Sequence, residues 1–203
     1  MIKKLKSKKD KIEIKAEKIR HSAAKLFNEK GYLEASMDDI ANAAKGSKGG
    51  IYYYFSRKED ILFYILDKYM DRILENLEEN LAKIEDKNQK VQFIIAHHID
   101  LFATFVAESK ILLHDVKCLP PKSYKIIAQK EKSYYKIVFN VLEDLSGSQL
   151  PKEKMTAITF SLLGMCNWIY SWYNPNGPLN PQELTEIIFS IFTKGISNLI
   201  HKD

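Results

Sequence analysis

The sequence predicts an all-α protein of nine helices, with an N-terminal three-helix bundle followed by a larger C-terminal helical body. Three observations predict this. Apolar residues recur with a period near 3.6 along nearly the whole chain. Cap residues open the periodic segments, and glycines or prolines close them. No segment sustains the alternation of a strand: the run Ile51-Tyr52-Tyr53-Tyr54-Phe55 is β-prone by composition, but capped helical segments flank it on both sides.

Taken in order, Ile12, Ala16, Ile19, Ala23, Leu26 and Phe27 form one stripe, and Gly31 ends that first helix. Ser36 and Asp39 have the spacing of a capping box at the start of a short second helix. The inner face of that helix is Ile40, Ala41 and Ala44, small enough for close approach. Lys45-Gly46 breaks it, because glycine tolerates the left-handed conformation found at helix ends. Ser47 caps a third helix over 48–54, and Ser56 with Glu59 forms a further box. That box opens a helix of about 26 residues, marked by Ile61, Ile65, Leu66, Tyr69, Ile73, Leu77, Leu81 and Ile84. Helices follow over 91–106, over 110–117 before Pro120-Pro121, and over 124–145, closed by Ser146-Gly147-Ser148. Pro151 opens a very apolar helix that runs through Trp172, and two prolines and a glycine make 174–178 a loop. Asn180 caps the last helix, with Pro181 at its first position and Glu183 at its third.

At 203 residues, with 45% hydrophobic and 28% charged, the chain suits a small domain, 1–58, plus a larger one, 59–203. Residues 1–58 hold 15 Lys+Arg against 7 Asp+Glu, whereas 59–203 hold 16 against 19. A basic N-terminal quarter on a mildly acidic body is the footprint of one nucleic-acid-binding end. Its densest part, Lys3, Lys4, Lys6, Lys8, Lys9 and Lys11, is either an arm for phosphates or a solvated tail. Cys118 and Cys166 lack metal or redox spacing and read as buried small residues. No stretch has the roughly 18 uninterrupted apolar residues of a membrane span, and no leader pattern opens the chain, so a cytoplasmic location is expected.

Two short helices joined by a glycine turn make a helix-turn-helix, whose second helix enters a DNA major groove. That helix is 48–54, with Lys48 as base reader, since lysine pairs with guanine O6 and N7. Gly49 and Gly50 let the backbone come close, and Tyr54 and Phe55 read as plugs between helices. Ser36 with Met37 presents a helix N-terminus to the DNA backbone.

With these residues the chain resembles a TetR-family transcriptional repressor. The family's pattern stands here as Ala23-Ala24-Lys25-Leu26-Phe27, Lys30-Gly31-Tyr32, Ala35-Ser36-Met37-Asp38-Asp39-Ile40-Ala41, Ser47-Lys48-Gly49, Ile51-Tyr52-Tyr53-Tyr54-Phe55 and Lys58-Glu59. The resemblance implies a dimer on a palindromic operator of double-stranded DNA, released by a small-molecule effector. It places Tyr52 and Tyr53 at a phosphate or a thymine methyl and makes Lys58 a phosphate clamp. One departure alters the turn: the family's usual Gly-Val-Ser-Lys-Gly-Thr is Lys45-Gly46-Ser47-Lys48-Gly49-Gly50 here, so the glycine has moved by one and Gly50 replaces a hydroxyl residue. Segment 167–179, reading NWIYSWYNPNGPL, is similar to a signature in a branch that responds to acyl-CoA thioesters. In that branch Lys125, Lys130, Lys132 and Lys136 would sit at the pocket mouth.

The last two helices carry more apolar surface than a chain of this length covers, so a homodimer is expected, with Ile188 and Phe192 at its interface. A pocket lined by Phe102, Phe105, Tyr134, Val138 and Trp168 is expected to hold the effector. The alternatives are DNA binding independent of any ligand, or an effector such as a drug or free fatty acid. No cofactor or metal is expected, since adjacent His97 and His98 point to different sides of a helix. Nor is an enzyme: the sequence has no GxSxG, P-loop or GxGxxG motif.

Overall fold

The computed structural model describes residues 8–147 and 150–200, with side chains over 11–147 and 150–196. Lys3, Lys4 and Lys6 of the expected basic arm, and Ser148, lie outside these, and Lys8 and Lys9 are described in backbone alone, at the start of the first helix. The helices are α1 (Lys8–Lys30), α2 (Met37–Ala43), α3 (Lys48–Tyr54), α4 (Lys58–Leu74), α5 (Leu77–Ala82), α6 (Lys87–Thr104), α7 (Val106–Asp115), α8 (Pro121–Ser146), α9 (Lys152–Asn167) and α10 (Pro181–Ile200). Single 3-10 turns at Val116–Cys118 and Trp168–Ser171 follow α7 and α9, and no strand occurs among the described residues. The expected nine helices are recovered when α4 and α5 are counted together. They part at Asn76, which takes the left-handed conformation at φ 56°. Asparagine accepts that conformation more readily than other side chains.

Starts and stops follow local chemistry. Asp86 accepts the Gln89 amide at 2.8 Å and starts α6 four residues ahead of the expected Val91. Pro121 occupies the first position of α8, where its missing N–H costs nothing. The Asn180–Glu183 box at α10 forms in both directions, at 2.9 and 3.0 Å. The box expected at Ser56 and Glu59 is displaced by one residue: the Arg57 amide donates to the Asp60 carboxylate at 3.0 Å. The apolar helix expected through Trp172 ends at Asn167 and tightens into the 3-10 turn.

The chain divides into two compact units, Met1–Tyr69 with Lys110–Ile127, and Met70–Ser109 with Ala128–Asp203. The division therefore runs through α4, α7 and α8 rather than at residue 58. In the first unit α1 packs on α2 and α2 on α3, around Ile19, Ala23, Phe27, Ile40, Ala41, Ile51 and the α4 residues Ile61, Leu62, Ile65 and Leu66, all buried. Each isoleucine and leucine among them contributes about 1.5–3 kcal/mol by leaving water. Leu26, expected in this core, is only half-buried, as is Cys118.

The second unit is dominated by α10 lying on α6, with α9 against both. Within it His98 is buried and bonded on both ring nitrogens, Nδ1 with the Tyr134 hydroxyl and Nε2 with Asn167 Oδ1, each at 2.9 Å. Asn167 Oδ1 only accepts, so Nε2 carries the proton and Nδ1 accepts from the tyrosine. The Phe102 ring stacks on the imidazole at 4.9 Å.

Burial holds the His98 ring neutral, lowering its pKa to about 4 despite the hydrogen bond to Asn167, with the neighbouring His97 lowering it further. Between the ordinary histidine value of about 6.5 and that lowered value, the unfolded chain takes up a proton that the folded chain refuses. Stability is therefore retained at neutral pH and falls as pH drops through this window, by up to about 3 kcal/mol. Thermal melts of wild type and His98→Gln between pH 7 and pH 4 should converge as pH falls; a constant gap between them would show that His98 is not the group involved.

Candidate nucleic-acid interface

The surface around α3 is built from the α1–α2 loop outward. Gly31 ends α1 at φ 93°, a conformation that favours glycine, and its amide donates to the Phe27 carbonyl at 2.9 Å. The loop over 31–35 leaves carbonyls without helical partners. Lys58, at the start of α4, takes three of them: its Nζ donates to the carbonyls of Tyr32 at 2.7 Å, Leu33 at 3.1 Å and Ala35 at 2.7 Å. It also lies 4.5 Å from the Tyr32 ring centroid. An ammonium has three donors, and all three are engaged. The expected phosphate clamp at Lys58 is thus redirected to backbone that the protein itself must satisfy.

At the next step Ser36 caps α2 with the complete box: Asp39 N–H donates to Ser36 Oγ at 3.1 Å, and Asp39 Oδ2 accepts from Ser36 N–H at 2.9 Å. Lys30 adds an ion pair to the same carboxylate at 2.6 Å. Hydrogen bonds from Lys30, then from the Ser36 hydroxyl and amide, hold Asp39 far below the usual carboxylate range. Met37 is half-buried at the first helical position beside this box.

The turn differs from its expected form. Lys45, not Gly46, takes the left-handed conformation, at φ 51°. Its amide donates to the Asn42 carbonyl at 3.0 Å and the Gly46 amide to the Ala41 carbonyl at 2.9 Å, the paired bonds of a Schellman motif. The motif forms with lysine where glycine is favoured, so the shifted glycine changes strain rather than path. A Cβ on Gly46 would meet only Ile51 Cδ1 at 3.8 Å and the Ala41 carbonyl at 4.0 Å, ordinary contacts.

Ser47 then caps α3, accepting the Gly50 amide at 3.1 Å. Gly49 faces open space, and Tyr52 and Tyr53 are exposed, Tyr53 at 69%. Phe55 is buried as expected and meets the Tyr64 ring at 5.5 Å; Tyr54 is half-buried. Lys48 is paired with Asp38 of α2 at 2.9 Å, on a surface where both are about three-fifths exposed. Lys15 and Lys18 of α1 flank α3 across a cleft of ≈ 290 Å³ that reaches Ser47, Gly50 and Tyr53. Sequence reasoning missed these two lysines and Asp38. Lys15 and Lys18 carry only the weak signal of lying off the apolar stripe of α1.

In the second unit Phe102, Tyr134 and Val138 are buried, and His98 links the first two. Phe105 is half-buried with the Arg72 guanidinium 4.8 Å over its ring. Trp168 is 63% exposed and does not join them. Of the expected mouth lysines, Lys130 pairs with Asp71, and Lys125, Lys132 and Lys136 are exposed. Ile188 and Phe192, expected at an interface between copies, are instead buried within the single chain, because their i, i+4 stripe with Leu184 and Ile196 faces inward. Ile187 and Ile191 are the exposed pair, at 47% and 59%, as are Phe160 and Trp172. No single helix among the described residues is long and apolar enough to cross a membrane.

Residues 19–65 match the family described as bacterial regulatory proteins, tetR family, and residues 85–196 match the tetracyclin repressor-like C-terminal domain. The chain belongs to the TetR family. Its members are DNA-binding transcriptional regulators rather than enzymes. Among curated relatives, the transcriptional activator FasR of Mycolicibacterium smegmatis is 20% identical over 178 residues, covering 88% of this chain and 81% of that protein. The fatty acid metabolism regulator protein of Bacillus subtilis is 32% identical over 82 residues, 40% of this chain and 42% of that one. A TetR-family regulator from Bordetella parapertussis superposes with a TM-score of 0.85 at 28% identity, over 90% of this chain and 96% of that one. AibR, solved with isovaleryl coenzyme A and operator DNA, gives 0.78 at 27% identity, over 87% and 97%.

For this TetR-family chain the turn and the loop yield separate tests. Lys45→Gly removes the left-handed strain and should stabilise the fold by about 0.5–1 kcal/mol, raising Tm by about 2 °C. A lower Tm would contradict the strain. Lys58→Ala leaves the part-buried Tyr32 and Ala35 carbonyls without that donor and should cost about 2 kcal/mol in urea titrations. It should leave the salt dependence of DNA binding unchanged, whereas a phosphate clamp would lower that slope by about one ion per protomer.

Proposed function

We propose that the protein is a transcriptional repressor that binds a palindromic operator as a homodimer and leaves it when a small molecule binds. The observation that carries the DNA reading is the first turn of α3, where the cap Ser47 is followed by only Lys48 and Gly49, both exposed, and the half-buried Gly50. A helix start so bare of bulk meets base edges without obstruction. Lys48 approaches a guanine, Tyr52 and Tyr53 lie toward the DNA backbone, and Ser36 with Met37 brings the start of α2 to a phosphate. The cytoplasm is then the site of action. Repression rather than activation is favoured by the KstR2 relatives, which are repressors, although FasR is an activator.

Dimerisation is supported by the exposed apolar residues Ile187 and Ile191 on α10 and Phe160 on α9. Isolated exposed aliphatics are ordinary, but Ile187 and Ile191 share one face of α10, in a surface depression with Leu179, of the kind that marks interaction sites. The effector is proposed to be an acyl-CoA thioester. This is supported by the resemblance of segment 167–179 and by the isovaleryl coenzyme A bound to AibR. Its acyl chain would enter the second unit near the buried Phe102, Tyr134 and Val138, the first two of which contact a polar anchor at His98.

Selection from a randomised duplex library should yield an inverted repeat, bound with a stoichiometry of two chains. Ile187→Asp with Ile191→Asp should give sedimenting monomers that bind that duplex at least tenfold more weakly. Calorimetry with isovaleryl-, octanoyl- and palmitoyl-CoA, with CoA alone as control, should find a thioester that binds and releases the duplex. Enrichment of no sequence would remove the regulator reading, and a wild-type monomer would remove the dimer. Silence of every thioester, with DNA binding intact, would remove only the effector.

A further inference from the structure

We propose that Asp38 and Lys48 act as one unit that reads a single G·C base pair, which makes Asp38 a specificity-determining residue of the DNA-binding surface. The inference rests on the operator-binding reading and names a base contact within it. The ammonium of Lys48, first residue of α3, lies 2.9 Å from one carboxylate oxygen of Asp38 and 3.0 Å from the other. The pair therefore joins the two helices of the helix-turn-helix at the end of α3 that points outward. Both side chains are largely exposed, so neither is consumed by the core. Asp38 differs in this from its neighbour Asp39, whose carboxylate is engaged by Ser36 and Lys30. Asp38 also sits in the first turn of α2, next to the Ser36 cap.

The chemistry of the groove fits this spacing. A G·C pair presents N7 and O6 of guanine as acceptors and then the N4 amino group of cytosine as a donor. O6 and N4 are hydrogen-bonded to each other, so they lie about 2.9 Å apart. An ammonium beside a carboxylate offers a donor and an acceptor at the same interval. Lys48 can span N7 and O6 while Asp38 accepts from N4. Adenine puts an amino group where guanine has O6, leaving the ammonium one acceptor and facing it with a donor. A lone lysine would also bind any phosphate within reach of its flexible stem. Asp38 opposes that by offsetting the charge and biasing the ammonium toward a position between the two helices. An exposed ion pair of this kind contributes little to folding, so its value lies in what it prevents and presents.

The test takes the duplex enriched by the wild-type chain and all single base-pair variants of one half-site. Wild type, Asp38→Ala, Asp38→Asn and Lys48→Ala are titrated against them at several salt concentrations, with circular dichroism confirming the fold. Asp38→Ala and Lys48→Ala should lose discrimination at the same base pair, roughly 5- to 100-fold. Asp38→Ala should also bind unrelated DNA more tightly, and its salt dependence should steepen by about one ion per protomer. Asp38→Asn, which keeps an acceptor without the charge, should retain part of the discrimination while showing the steeper slope. Unchanged discrimination in Asp38→Ala, or loss at a different base pair from Lys48→Ala, overturns the proposal while operator binding stands. Failure of the wild type to enrich any sequence overturns both, and is recognised before any variant is made.

Discussion

One ammonium group fixes the geometry from which the DNA-binding surface is built. Lys58 enters from α4 and satisfies three carbonyls of the α1–α2 loop, two of them part-buried at the edge of the core. With that loop fixed, Ser36 stands where its hydroxyl meets the Asp39 amide, and the box sets the start of α2. The direction of α2 then sets the turn, and the turn sets α3. Each step costs the chain conformational entropy that hydrogen bonds and small buried residues must offset. The Ala41 and Ala44 contacts permit close helix approach but carry little area, so the polar frame counts for more here than in the second unit.

Much of that frame was legible in the sequence because caps are local. Ser36 with Asp39, Ser47 and Asn180 with Glu183 act through bonds no more than three residues long, and all three form as read. The break at Asn76 was not legible because Ile73, Leu77 and Leu81 keep the helical spacing across it, and all three are buried. Periodicity reports which side faces inward and is blind to a single residue that changes hand. At Lys45 the reverse held: glycine next door drew the expectation, yet the bond pattern needed the left-handed residue one position earlier.

The candidate sites divide in the same way. Exposure of Tyr52 and Tyr53 and burial of Phe55 follow from position on a short helix. What a long side chain bonds to does not: Lys58 and Lys48 look alike as basic residues flanking the motif, but one meets carbonyls and the other a carboxylate. On α10 two apolar stripes, one through Ile188 and Phe192 and one through Ile187 and Ile191, are equally visible in the sequence. Only the packing of α10 on α6 decides which is spent inside. The buried histidine network has no sequence signature at all, since His98, Tyr134 and Asn167 come from three helices.

The placement of the tryptophans has an optical consequence. The chain has two, Trp168 and Trp172, and both lie exposed on the same short segment after α9. Indole emission shifts toward the blue when water is withdrawn from the ring, and nothing elsewhere in the sequence supplies a competing indole. The native indole fluorescence of this protein is therefore a local signal, reporting on whatever covers or moves the segment 168–172.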